Sequence, residues 1–168
     1  MKSVIFLDND GVMCLSTEWG SRIKKIKKWK MFNDGTPPAS VRMDSFDRKA
    51  VKVLNEVLTE TDAEIVVSSD WKLYCTLDEL KQMFTDYGVI KQPIDCTPNH
   101  FLSAIDKNAE IRVAEIEEWL STHPDVEKWV AIDDLDLSKL KNFVHTKKMN
   151  EGIKQNGIKD KLINILNK

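Results

Sequence analysis

"VIFLDNDGV", residues 4 to 12, runs four apolar side chains straight into Asp8 and Asp10, spaced one apart, and then into Gly11. Val4 to Leu7 has the length of a short strand, and its unbroken apolar character suits a strand covered on both faces of a parallel sheet. In an extended segment residues i and i+2 face the same side. Asp8 and Asp10 can therefore enter one pocket while glycine lets the backbone turn away. Two adjacent carboxylates repel, so either a cation neutralises them or one keeps a proton. Both conditions serve chemistry at phosphorus, where one carboxylate can attack and a protonated neighbour can supply the leaving oxygen.

The plain alternative is a turn, since Asn-Asp-Gly recurs at 33–35, where no apolar strand precedes it. An EF-hand loop is excluded, because Phe6 falls at its first ligand position and Thr17 at its bidentate glutamate.

Working outward, further apolar runs of strand length occur at 64–69 (EIVVSS), 129–133 (WVAID) and 143–146 (FVHT), with a weaker candidate near Val89 and Ile90. Helical spacing separates them. Phe46, Ala50, Val51, Leu54, Val57 and Leu58 mark one helix, with Asp44 or Ser45 as its N-cap. Thr76 and Glu79 form a capping box for a second, which carries Leu77, Leu80, Phe84 and Tyr87 and stops at Gly88. A third runs from about Ala109 to Leu120, and Ile158 to Leu166 gives a C-terminal one. Strands alternating with helices predict an α/β fold around a mostly parallel sheet.

At 168 residues, 42% hydrophobic and 31% charged with a net charge of -2, the chain has the profile of one globular domain, residues 1–168. Cys14, Cys75 and Cys96 fit neither a disulfide framework nor a zinc site, and read as reduced thiols of a cytoplasmic protein. The apolar stretch before Asp8 is too short for a signal peptide or membrane span. Residues 13–43 form an irregular insertion after the first strand, placed above the strand ends where open α/β sheets bind ligands.

The other strands end in the same kind of chemistry. "IVVSSDWK" closes on Ser68, Ser69 and Lys72, and "VAIDDLD" on Asp133 and Asp134. With the strands side by side, these groups converge with Asp8 and Asp10 on one sheet edge. Such a cluster suits Mg2+, which takes a few carboxylates, water and a phosphate oxygen.

On these residues the sequence resembles the haloacid dehalogenase (HAD) superfamily. Asp8 to Val12 match its first motif, Ser68 (or Ser69) its second, and Asp133 with Asp134 its fourth. The resemblance extends to the HAD domain of Swiss-army-knife RNA-repair proteins through VSSDWK, TPNH, IRVAEIEEWL and VAIDD. It implies a Rossmannoid three-layer sandwich with a minimal cap at 13–43. It also implies a phosphatase with Asp8 as nucleophile, Asp10 as general acid then base, and a metal set of Asp8, Asp10, Asp133 and Asp134. For the third-motif cation, Arg112 matches best, although Val113 stands where glycine is usual; Lys72 and Lys107 stay open. Ser69, Lys72, Gly11 and Trp71 are candidates for contact with substrate, Trp71 also being suited to packing.

HAD enzymes with small caps leave the site open to large substrates. The run at 22–30 then offers a cationic face for RNA or DNA ends: Arg22, Lys24, Lys25, Lys27, Lys28 and Lys30, interleaved with Ile23, Ile26 and Trp29. The bland reading is a solvated helix face. The expected activity is Mg2+-dependent hydrolysis of a phosphomonoester, on a nucleic-acid 3'-phosphate end or a nucleotide. Alternatives are a small-molecule phosphatase or nucleotidase, a phospho-acceptor signalling module, and a non-catalytic binding domain. A receiver-type module places its acceptor aspartate on a mid-chain strand, where this chain has Ser68 and Ser69. His100, His123 and His145 share no spacing and receive no role.

Overall fold

A computed structural model describes residues 2–100 and 109–168. Its sheet has five strands, β1 (Lys2–Leu7), β2 (Glu64–Val67), β3 (Pro93–Cys96), β4 (Val126–Asp133) and β5 (Phe143–His145), in the order β3-β2-β1-β4-β5. Every pairing is parallel, so the C-terminal ends share one edge, and β1 lies at the centre. Centrality explains why Val4, Ile5, Phe6 and Leu7 are all wholly buried. Alternate side chains feed two cores. Ile5 and Leu7 join Ile65, Val67, Val130 and Ile132 on the face covered by α3 (Arg48–Thr61), α4 (Leu77–Asp86) and α6 (Ile158–Leu166). Val4 and Phe6 join Val66 and Ala131 under α5 (Ala109–Ser121), where Trp119 meets Phe6 edge-on at 5.3 Å. The result is the expected three-layer α/β sandwich.

Beyond small shifts of strand ends, with β2 stopping at Val67 and β4 starting at Val126, two placements differ from the sequence reading. The edge strand lies at 93–96 rather than at Val89 and Ile90. The Val89 amide is used to close α4 on the Phe84 carbonyl, and the Ile90 amide donates to Asn55 Oδ1, so neither is available to a ladder. A strand that opens on proline is tolerated at an edge. The α3 N-cap is Asp47, whose side chain accepts from the Ala50 amide at 2.8 Å, rather than Asp44 or Ser45. Asp44 instead accepts from the Arg22 amide at 2.9 Å, and Ser21 Oγ accepts from the Ser45 amide.

Those two bonds tie down the insertion, which contains α1 (Ser21–Lys30) and α2 (Ala39–Arg42). Lys25 adds a clamp, donating to the Ser40 and Met43 carbonyls at 2.7 Å each and to the Tyr87 hydroxyl at 2.9 Å. The second Asn-Asp-Gly, 33–35, is an exposed loop. Among the described residues no helix is long and apolar enough to cross a membrane.

Candidate active site

The acidic edge of the sheet begins where β1 stops. The Asp8 amide still donates to the Ile132 carbonyl at 3.1 Å, but the Asn9 carbonyl then accepts from the amides of Val12, Met13 and Cys14, winding the chain into a tight turn. Gly11 meets two demands there. Its φ of +70° is in the left-handed region, and a Cβ would stand 2.7 Å from Asp134 Oδ2. Glycine thus lets the first loop and the end of β4 close on each other. The Thr146 hydroxyl adds a bond of 3.1 Å to the Gly11 carbonyl.

Asp8, Asp133 and Asp134 each offer a carboxylate oxygen within 4.8 Å of the others. Three hard oxygen donors at that separation fit a divalent cation of the Mg2+ class. The Asp10 carboxylate lies outside this group and is held by Trp71, whose indole Nε1 donates to Asp10 Oδ2 at 2.9 Å.

Arg112 reaches into the cluster from the first turns of α5. Its Nη1 lies 2.8 Å from Asp133 Oδ2 and 3.2 Å from Asp8 Oδ1 and also donates to the Ser68 carbonyl, while Nη2 bonds Asp70 Oδ1 at 2.9 Å. Of the two described cations that the sequence offers for the phosphoryl-binding position, Arg112 is the one beside Asp8. Lys72 is committed elsewhere, to Glu115 at 2.6 Å, the Thr97 hydroxyl at 2.9 Å and the Pro98 carbonyl at 2.7 Å. Lys107 lies outside the described residues.

Burial dominates the electrostatics. It pushes the Asp8 carboxyl well above its ordinary range, Asp133 adds to the rise, and Arg112 opposes it. Asp133 is raised for the same first reason, again against Arg112. Burial also raises Asp10, and the Trp71 hydrogen bond pulls the other way. Burial alone would make Arg112 easier to deprotonate, but Asp8, Asp133, Asp70 and Glu115 together hold it as a cation. The Lys72 ammonium is pushed down by burial, with Glu115 opposing.

Ser68 and Ser69 are both buried. Ser69 Oγ accepts from the Trp71 amide at 3.4 Å, whereas Ser68 Oγ has no hydrogen-bond partner among the described residues. A buried hydroxyl without a partner beside a cationic fork is a ready donor to an oxyanion. Trp71 is 4% exposed and stacked on Phe46 at 5.7 Å, so most of its ring is packed, and what remains borders the cleft beside Asp10.

Beside Asp10 opens a cleft of about 580 Å3, walled by Arg22, Arg42, Asp44 and Tyr74 and floored by Asp70 and Trp71. The insertion thus borders the site. On α1, Arg22, Lys24, Lys27, Lys28 and Lys30 are exposed, and Lys25 is the internal clamp.

Some site residues escape a reading of strand ends. Glu115 and Asp70 hold the two cations but sit in a helix and a turn, where acids are ordinary. His145, whose Nε2 lies 2.9 Å from the Asp134 carbonyl, borders the site from β5. No spacing marks any of the three.

No curated protein and no solved structure matches the chain. One family model does, over residues 4–157, described as the HAD domain in Swiss Army Knife RNA repair proteins. That span takes in β2 to β5, Val4–Leu7 of β1 and the whole acidic cluster, so the chain belongs to this HAD domain family, which points to a phosphatase-type hydrolase.

Proposed function

We propose that the protein is a Mg2+-dependent phosphomonoesterase that works through an aspartyl-phosphate on Asp8, with a nucleic-acid 3'-phosphate end or a nucleotide as substrate. One observation carries this reading. Buried Arg112 bridges Asp8 and Asp133 next to the unpartnered Ser68 hydroxyl, which juxtaposes a nucleophile with donors for the oxygens of a phosphoryl group.

In the first step an Asp8 carboxylate oxygen attacks phosphorus and the ester P–O bond breaks. The proton of the Asp10 carboxyl passes to the leaving oxygen, releasing an alcohol. In the second, water attacks the phosphorus and Asp10 takes its proton. The bond to Asp8 breaks, releasing phosphate and restoring the carboxylate. Arg112 N–H groups and the Ser68 hydroxyl donate to the non-bridging oxygens, whose charge is stabilised most where water is excluded. Asp8, Asp133 and Asp134 would hold the ion, which when bound neutralises charge on the carboxylates and the phosphoryl group. Burial raises the affinity of Asp10 for its proton, the direction that suits a general acid.

The open cleft and the exposed cations of α1 support a large anionic substrate. The test is phosphate release, with Mg2+ or EDTA, from a 3'-phosphorylated oligonucleotide, a 5'-phosphorylated one and p-nitrophenyl phosphate. Turnover is expected with Mg2+ only and fastest at the 3' end. Asp8→Asn should abolish it, and Asp10→Asn should slow it about 10²- to 10⁴-fold. Full activity in either variant overturns the mechanism, and release from the aryl phosphate alone redirects the search to small metabolites.

A further inference from the structure

The Asp10 carboxyl has, among the described residues, one hydrogen-bond partner for its side chain: the Trp71 indole, at 2.9 Å to Oδ2. An indole N–H can donate and cannot accept. A carbonyl-type oxygen accepts more strongly than a hydroxyl oxygen, so the indole bond favours the proton of the neutral Asp10 carboxyl on Oδ1, and rotation of the carboxyl cannot exchange the two oxygens without breaking the bond.

That constraint is only as firm as the indole, and the indole is firmly held. Trp71 lies in the one-turn 3-10 segment Asp70–Leu73 that follows Ser69, and its own amide is bonded to Ser69 Oγ. Its ring stacks on Phe46 with 25° between the planes. Phe46 in turn stacks on Tyr87 at 4.9 Å and meets Phe84 edge-on at 5.2 Å. Tyr87 closes the chain of contacts by accepting from Lys25 and donating to the Ser40 carbonyl of the insertion. Turning the indole would mean dismantling an aromatic stack that joins the segment before α3, α4 and the insertion.

We propose that Trp71 is a positioning residue for Asp10, reserving Oδ2 and so assigning to Oδ1 the proton that passes to the leaving oxygen. Asp10 and Trp71 both line the cleft of about 580 Å3, so the acid borders open space that a leaving alcohol can occupy. The inference rests on the phosphomonoesterase reading and adds to it the group that orients the acid.

The experiment compares kcat/KM, with saturating Mg2+, across phosphomonoesters from p-nitrophenyl phosphate to simple alkyl phosphates, for the wild type and Trp71→Phe. Phenylalanine keeps the stack and removes the N–H. Proton donation matters most for a poor leaving group, so the loss on alkyl phosphates should exceed the loss on the aryl phosphate by about tenfold or more. The same substitution in the Asp10→Asn background should add no further dependence on the leaving group. Equal losses across the series, or the full effect persisting without the Asp10 acid, mean that Trp71 only packs, and overturn the proposal. Wild type that releases no phosphate from any ester removes the underlying reading as well. If Trp71→Phe does not fold, the Trp71 indole N–H resonance of folded Asp10→Ala decides. A clear move from its wild-type position supports the bond, and an unmoved resonance refutes it.

Discussion

Among the described residues, four carboxylates stand within 4.0 Å of the Arg112 guanidinium: Asp133, Asp70, Asp8 and Glu115. A side chain 7% exposed in such company is the local counter-charge for a cluster that could not otherwise be ionised together. Arg112→Ala should therefore lower the stability of the metal-free protein by about 3–5 kcal/mol, because buried carboxylates lose their partner. Added Mg2+ should recover part of that loss, since an ion that binds only the folded state stabilises it. Arg112→Lys should keep more of the stability but lose about 10²-fold or more in turnover, because an ammonium cannot reproduce the planar fork. Urea titrations with EDTA or Mg2+, beside phosphate release, test both halves; an Arg112→Lys enzyme of wild-type rate would contradict the assignment. At this scale the sequence was informative wherever chemistry sits at a strand end. Asp8, Ser68, Asp133 and Asp134 could be placed together from the apolar runs before them, while Arg112, in mid-helix, had to be weighed against two lysines. Glu115 and Asp70 had no signal, because their partners are set by tertiary packing.

At the scale of elements, α1 combines a cationic face with no fully buried residue. The run from Arg22 to Lys30 reads as a uniform patch, yet its members do different work. Lys25 is spent on holding the insertion to Ser40, Met43 and Tyr87, and burial lowers its proton affinity. Lys24, Lys27, Lys28 and Lys30 are exposed. Replacing those four by glutamine should reduce the salt dependence of single-stranded oligonucleotide binding, the slope of log K against log salt falling by about 2–3. Fluorescence anisotropy at several salt concentrations measures the slope, and an unchanged slope would assign α1 to the bland, solvated reading. The division of labour was invisible in the sequence, since seven-tenths of α1 is polar or charged and helical period alone does not say which lysine turns inward. The same limit explains the N-cap. Asp44, Ser45 and Asp47 all suit one, and which is used depends on α1 claiming Asp44 from 22 residues away. Elements with local signals needed no such arbitration: the Thr76–Glu79 capping box is present and α4 ends before Gly88 as read.

For the whole molecule, the acid cluster makes stability depend on pH in the direction opposite to that of ordinary surface carboxylates. Burial raises Asp8, Asp10 and Asp133 in the folded state, Asp133 to about 7, whereas in the unfolded chain each titrates near 3.9. Between those values the folded form holds protons that the unfolded form releases. The stabilisation is therefore fully present below about pH 4 and is lost as the pH rises through the folded value. The lowered carboxylates, Glu56, Asp62, Glu79, Glu110 and Asp136, act with the other sign. Their window lies below the ordinary carboxylate range, and solvent screening keeps their contributions small. From pH 5 to 8 the buried cluster should then govern, and the melting temperature in EDTA should fall across that range. Millimolar Mg2+ should shrink the fall, because the ion favours the ionised carboxylates of the folded state over those of the unfolded chain. Asp133→Asn should flatten the EDTA curve, since its amide does not titrate. A melting temperature in EDTA that stays level or climbs from pH 5 to 8 would mean that the three acids are ionised together even without an ion, and that Arg112 alone suffices to hold their charge.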